Sequence, residues 1–253
     1  MPTTTHTETP TLKVRSAVES DINELVRLEL ETFSDVYGDE PSSEAVKSVR
    51  QKYTERVELL GSWFTVLADE NDNLSGMLVC CTTSNDDEYF LGNGEEHDDM
   101  TTAGAVETIY DADGKNLYIV NLAVSHTNQA TAASSLQLIL DGMQRAEDEG
   151  LKKAYFTSRL PLFMEWLGEN GYDGLDMNDT KAVTLLANDY IRATREDGKL
   201  YDPLLNLYVN GYGAHVIRAI PEAWIIDYPS KAFGAVGVYY VDKSAREAHM
   251  GAE

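Results

Sequence analysis

Residues 116–138 read NLYIVNLAVSHTNQATAASSLQL. Asn116 to Ser125 is an apolar run rich in aromatic and β-branched side chains, which predicts a central strand buried on both faces. From Gln129 the composition turns to small and hydroxyl residues. Leu136, Ile139, Leu140 and Met143 then share one face of a helix that reaches Glu149, and Gly150 ends it. A buried strand feeding a long helix through small residues has a chemical consequence. The first helical turn carries unpaired backbone N–H groups and partial positive charge, and small side chains let an anionic group such as a pyrophosphate approach them closely.

Working outward from this unit, strands are predicted at Thr11–Arg15, Trp63–Ala68, Leu74–Cys81, Lys153–Thr157, His215–Ile220 and Gly234–Val241. The pair around Asp69–Asn73 reads as a hairpin. Val106–Tyr110 reads as a short strand. Helices are predicted at Ser20–Phe33 with Ser20 as cap, at Ser42–Leu60 with Tyr53 inward, and at Pro161–Asn170 closed by Gly171. Further helices fall at Thr180–Ala193 and Asp202–Val209. Residues 84–102 form a long acidic loop, expected to be solvated and flexible. The order predicts one mixed α/β sheet in a single domain over 11–242, with helical material inserted at 160–201, a polar tail at 1–10 and another at 243–253.

The chain has 253 residues, of which 43 are Asp or Glu and 20 are Lys or Arg, for a formal charge of −23. Each phosphate contact wants a cation, so this balance argues against nucleic acid and anionic membrane as partners. No run of about 20 apolar residues is present to span a bilayer, and the Thr-rich start lacks the pattern of a secretory leader. Cys80 and Cys81 are adjacent in a predicted strand, so they point to opposite faces; two reduced thiols and a cytoplasmic location are expected. Five scattered histidines show no zinc-type spacing, and no metal site is expected.

The element order, together with LAVSHTNQATAASSLQL at 122–138, resembles the GNAT acyltransferase family. Its signature is Leu-x-Val in a strand, then Gln/Arg-x-x-Gly-x-Gly/Ala opening a helix. Leu122 and Val124 match the strand, Gln129 opens the loop, and Ala132 and Ser134 replace both glycines. The resemblance implies a mixed, mostly antiparallel central sheet flanked by helices, and acetyl-coenzyme A or another acyl-coenzyme A as co-substrate without a metal. It further implies main-chain pairing of the coenzyme's pantetheine arm along Asn121, Leu122, Ala123 and Val124, with a backbone N–H beside Val124 as the oxyanion donor. The pyrophosphate would lie on Gln129, Ala130, Thr131, Ala132, Ala133 and Ser134. A second likeness covers Arg159-Leu160-Pro161, Asp202-Pro203-Leu204-Leu205, Gly213, HVIRAIPEAW and GAVGVYYV. It is similar to the GNAT domains fused to carbon–nitrogen hydrolases and to the GNAT-like decarboxylase domains of polyketide loading modules.

Acyl transfer to an amine needs a held thioester, a neutral amine and an acid for the departing thiolate. The family implies a tyrosine acid. Tyr208 occupies that position five residues before Gly213, whereas Leu167 fills the competing place and cannot donate a proton. The subfamily's histidine falls on or near Tyr208. Thr157 and Ser158 end the next strand, where the decarboxylase-like relatives carry a threonine. The central strand lacks a carboxylate, leaving Glu107 as the nearest candidate base. The expected partner is a small-molecule amine, and a homodimer stays open. A malonyl-thioester decarboxylase and a catalytically silent binding protein are the competing readings.

Overall fold

The computed structural model describes residues 12–92, 106–125, 131–172, 174–223, 227, 229–242, 244 and 246. Seven strands form one sheet in the order β1-β2-β3-β4-β5-β7-β6. They are β1 (Lys13–Ser16), β2 (Phe64–Ala68), β3 (Leu74–Thr83), β4 (Asn116–Val124), β5 (Lys153–Arg159), β6 (His215–Ile220) and β7 (Gly234–Tyr240). Every pairing is antiparallel except β4 with β5. β2, β3 and β7 are buried nearly throughout, in keeping with their continuous apolar runs.

One face carries α1 (Ile22–Thr32) and α3 (Ser43–Leu60), joined through the short α2 (Ser34–Tyr37). Ser42 caps α3 by accepting from the Ala45 N–H at 3.1 Å. The predicted cap Ser20 does not cap α1. A 3₁₀ turn over Glu19–Asp21 precedes the helix, and the Asp21 carboxylate accepts from the Val18 N–H at 2.9 Å instead. The other face carries α4 (Thr131–Asp148), which Gly150 closes at φ +70°. Its buried apolar side chains are Leu138, Ile139, Met143 and Ala146, while Leu140, expected among them, is 49% exposed.

The expected strand at 106–110 is a turn. The N–H groups of Ile109 and Tyr110 both bond the Val106 carbonyl, and Val106 sits at φ +68°. Its apolar side chains are nevertheless buried at Val106 and Ile109, so composition reported burial and not backbone shape. Residues between β5 and β6 supply α5 (Phe163–Glu169), α6 (Thr180–Tyr190) and α7 (Pro203–Asn206), the last continuing into a π turn at Leu207–Gly211. Asp202 caps α7 with one carboxylate oxygen on the N–H groups of Leu204 and Leu205, at 2.9 and 3.0 Å. Its other oxygen accepts from the Tyr190 hydroxyl at 2.7 Å. Pro203 at the first helical position suits its fixed φ. Among the described residues, no helix is long and apolar enough to cross a membrane.

Both cysteines are buried thiols on β3. Their adjacency puts Cys81 on the α3 side, within the field of Arg56, and Cys80 on the α4 side, within the field of Arg145.

Candidate active site between the separating strands

β4 and β5 are paired only at Leu117–Ala154, Tyr118–Tyr155 and Ile119–Phe156. Past that rung β4 runs on to Val124, while the rest of β5 pairs only with β7 among the described residues. A bulge sits at the parting point. Val79 faces Asn121 but Cys80 faces Ile119, which leaves Val120 as the extra residue. A bulge inverts the alternation of side chains that follow it. Tyr118 and Asn121 therefore both face the α1 and α3 layer, whereas Ile119 and Leu122 face α4. Among the described residues, the β4 edge from Val120 to Val124 thus has no strand partner toward the gap.

On the α4 side, the described start of that helix lies at Thr131, just past the end of β4. Gln129 and Ala130 lie outside the described residues. Ala133 is exposed, whereas Ser134 is buried at 2% exposure. Tyr208, on the π turn, stacks on Phe156 with ring centroids 4.6 Å apart, directly above the last shared rung. Burial, with the charge of Asp202, raises its hydroxyl above the ordinary tyrosine value, so it stays protonated. Tyr212 meets Tyr208 edge-on at 5.5 Å, and its buried hydroxyl has no hydrogen-bond partner among the described residues. Leaving such a group unmet costs roughly 1–3 kcal/mol, which an incoming polar ligand can recover. Leu167, the alternative position, is buried on α5.

The opposite side of the gap is built on a carboxylate. Glu29 of α1 is 4% exposed and accepts four hydrogen bonds. Lys52 Nζ reaches Oε1 at 2.6 Å and the Tyr37 hydroxyl reaches it at 3.2 Å. The Tyr53 hydroxyl and Asn121 Nδ2 reach Oε2 at 2.6 and 2.9 Å. Burial opposes its charge, but Lys52, Tyr53 and the buried Arg56 hold the carboxyl below its usual range, so it is ionised. Two residues on, Glu31 accepts from Ser125 Oγ at 2.6 Å, a second tie between α1 and the end of β4.

Thr157 faces this same side, its Oγ1 3.3 Å from the Tyr118 hydroxyl. Ser158 faces the other side, buried, with its hydroxyl donating to the Arg159 carbonyl at 3.0 Å. The two strand-end hydroxyls are therefore separated by the sheet. Glu107 is exposed on the turn after Val106 and makes no hydrogen bond or ion pair to β4, Thr157 or Tyr208 among the described residues. The first part of the acidic loop is docked at two points, while Asp86, Asp87 and Glu88 stay exposed as expected. Asp87 accepts from Lys153 and from the Tyr155 hydroxyl at 2.5 and 2.6 Å, and Phe90 stacks between Tyr118 and Tyr155 at 5.1 and 4.5 Å. Residues 93–102 of that loop lie outside the described residues. Arg159 closes the end of β5 with a bidentate pair to Asp227 at 2.6 and 2.8 Å, and a further bond to Asp35 of α2.

Glu29 and Tyr53 were not among the site residues expected from the sequence. The available signal was a glutamate on the inward stripe Ile22-Leu25-Val26-Glu29, since a carboxylate on an apolar face demands partners.

No protein-family model matches the chain, and no curated protein matches it. Solved structures do. The loading GNATL domain of CurA from Lyngbya majuscula superposes with a TM-score of 0.68 at 16% identity, over 91% of this chain and 98% of that one. The GphF GNAT-like decarboxylase in complex with isobutyryl-CoA gives 0.63 at 19% identity, over 91% and 100%. A putative phosphinothricin N-acetyltransferase gives 0.51 at 12% identity, over 92% and 100%. The chain has the GNAT fold, a mixed and mostly antiparallel sheet flanked by helices, with its separated central strands and the helix after them in place.

Proposed function

We propose that the protein is an acyl-coenzyme A-dependent N-acyltransferase that acetylates the amine of a small molecule. The observation that carries this reading is the parting of β4 from β5 at the Val120 bulge, ahead of the α4 N-terminus. An extended thioester arm can add to the free edge of Asn121–Val124 as a strand would. Backbone N–H groups over Gln129–Ser134 would take the pyrophosphate, which suits a chain with few cations to spare.

In the reaction the amine nitrogen attacks the thioester carbonyl carbon, and the carbonyl oxygen takes negative charge. As the intermediate collapses, the carbon–sulfur bond breaks and the thiolate takes the Tyr208 hydroxyl proton. The surplus proton on nitrogen passes to water, and solvent reprotonates Tyr208. Two observations support Tyr208 as the acid: its place over the last shared rung and its hydroxyl free of any described partner. Thr157, on the acceptor side, is left to contact the amine substrate, and Ser158 and Glu107 have no part in this scheme. The paired reduced thiols and the acidic surface suit a cytoplasmic protein.

A second reading is favoured by one observation. The relatives with TM-scores of 0.68 and 0.63 are GNAT-like domains, one of them a decarboxylase by its description. Malonyl-thioester decarboxylation would then occur in the same gap, with Thr157 beside it. Tyr208 in place of the subfamily's histidine weighs against it.

Titration calorimetry with acetyl-coenzyme A tests the site. Ala133→Glu puts a like charge among the phosphates at an exposed position, and its affinity should fall at least about tenfold with an unchanged melting temperature. Equal affinity in the variant would remove the proposed site, and absence of binding in the wild type would leave a silent GNAT fold. Carbon dioxide release from malonyl-coenzyme A without any amine would select the second reading.

A further inference from the structure

The Glu29 cluster does more than tie α1 to the sheet. An ionised carboxylate only accepts, and Glu29 already receives Lys52, Tyr37, Tyr53 and Asn121, which uses its lone pairs. It has no capacity left to act as a base. Its geometry instead dictates which way the Asn121 amide points. Nδ2 must face Glu29, and the same nitrogen also donates to the Tyr53 oxygen at 3.2 Å. Tyr53 has spent its own proton on Glu29, so it can only accept from Asn121. Nδ2 thereby serves both oxygens, which lie on the same side of it, and Oδ1 is turned away from the carboxylate. Among the described residues nothing donates to Oδ1, and Asn121 is half-buried and not sealed in. It stands two residues past Ile119, the last β4 residue paired to β5, on the face opposite Tyr208.

We propose that Asn121 Oδ1 is the acceptor that holds the incoming amine through one N–H, and that Glu29 is the positioning residue that keeps the amide in this orientation. The inference rests on the acyltransferase reading above and names the acceptor side of that site. It also defines the form of substrate taken. A neutral carbonyl supplies no counter-charge that would favour an ammonium ion. The site selects a primary or secondary amine bound neutral, with one N–H on Oδ1 and its lone pair free for the thioester carbon.

The test uses the full chain with acetyl-coenzyme A and three probe amines, ethylamine, phenethylamine and glycinamide, with release of free thiol as the readout. Glu29→Gln lets a neutral amide face Asn121, which permits it to flip. Asn121→Leu removes Oδ1 while leaving Glu29 its three other donors. In both variants kcat/KM for the amine should fall at least about tenfold, chiefly through KM, with calorimetric affinity for acetyl-coenzyme A retained. Should Glu29→Gln lose melting temperature because Lys52 and Arg56 are left uncompensated, Asn121→Leu decides alone. Wild-type amine kinetics in Asn121→Leu would overturn the proposal. So would a wild type that binds acetyl-coenzyme A yet transfers to none of the three amines. A wild type that binds no acetyl-coenzyme A would instead remove the acyltransferase reading on which the proposal stands.

Discussion

Gly237 is a position where the candidate site can be disturbed without altering any group that would react. It lies on β7 between Phe156 of β5 and Val216 of β6. A Cβ added there would fall 2.3 Å from Phe156 Cζ and 2.7 Å from Cε1, with the His215 carbonyl oxygen at 2.8 Å. The ring lies flat across the glycine because there is no side chain to lift it. Gly237→Ala must push the ring, and the ring is pinned from above by Tyr208 at 4.6 Å. The backbone oxygen of His215 blocks escape in the other direction. Overpacking of this kind costs about 1–3 kcal/mol. At roughly 2–4 °C per kcal/mol for a chain of this size, the melting temperature should drop by about 2–12 °C. Differential scanning fluorimetry measures it directly. Phe156→Leu in the same chain removes the clashing ring atoms, so the double variant should lose less than the sum of the two single changes. A melting temperature of Gly237→Ala within about 1 °C of wild type would refute the claim that the Phe156–Tyr208 stack rests on the bare backbone of β7.

Tyr208→Phe keeps that stack and deletes a hydroxyl that has no described partner, so melting temperature and coenzyme affinity should hold. Thiol release should fall at least about tenfold, within the 10²–10⁴ range of a lost acid, and level turnover in steady-state assays would make Tyr208 a packing residue. With a formal charge of −23, self-repulsion should be relieved by salt, so thermal melts should move upward between about 0.05 and 1 M salt, where the Debye length shrinks to roughly 3 Å; a flat or falling series would remove that expectation.

The β4–α4 unit was readable because its two halves carry different periodicities, a continuous apolar run and then a helical stripe. Tyr53 likewise announced itself as inward on α3. The Val120 bulge was not readable. In NLYIVNLAVS every residue near it is apolar or half-buried, and a one-residue offset against β3 leaves no mark on composition. That offset is what turns Asn121 toward Glu29, a carboxylate that reaches the strand from α1 and so leaves no mark on the strand's own sequence. Ser134 was read for its small size at a helix start, and it is small because it packs inward. Phe90 shows the reverse error: a run of acidic residues hid one aromatic ring that docks the segment between Tyr118 and Tyr155.

The adjacent thiols on β3 divide the molecule in a useful way. Cys80 lies under the α4 layer and Cys81 under the α3 layer, with one backbone between them. Burial pushes the Cys81 thiol up to about 12 and the Cys80 thiol higher still, so neither forms thiolate while its layer is closed. Alkylation mapped to each sulfur by mass spectrometry therefore acts as a two-channel clock. Modification of Cys81 alone records α3 lifting from the sheet, modification of Cys80 alone records α4 doing so, and equal rates record the whole chain coming apart. Without any introduced label, the polypeptide carries its own gauge of which half of the sandwich opens first.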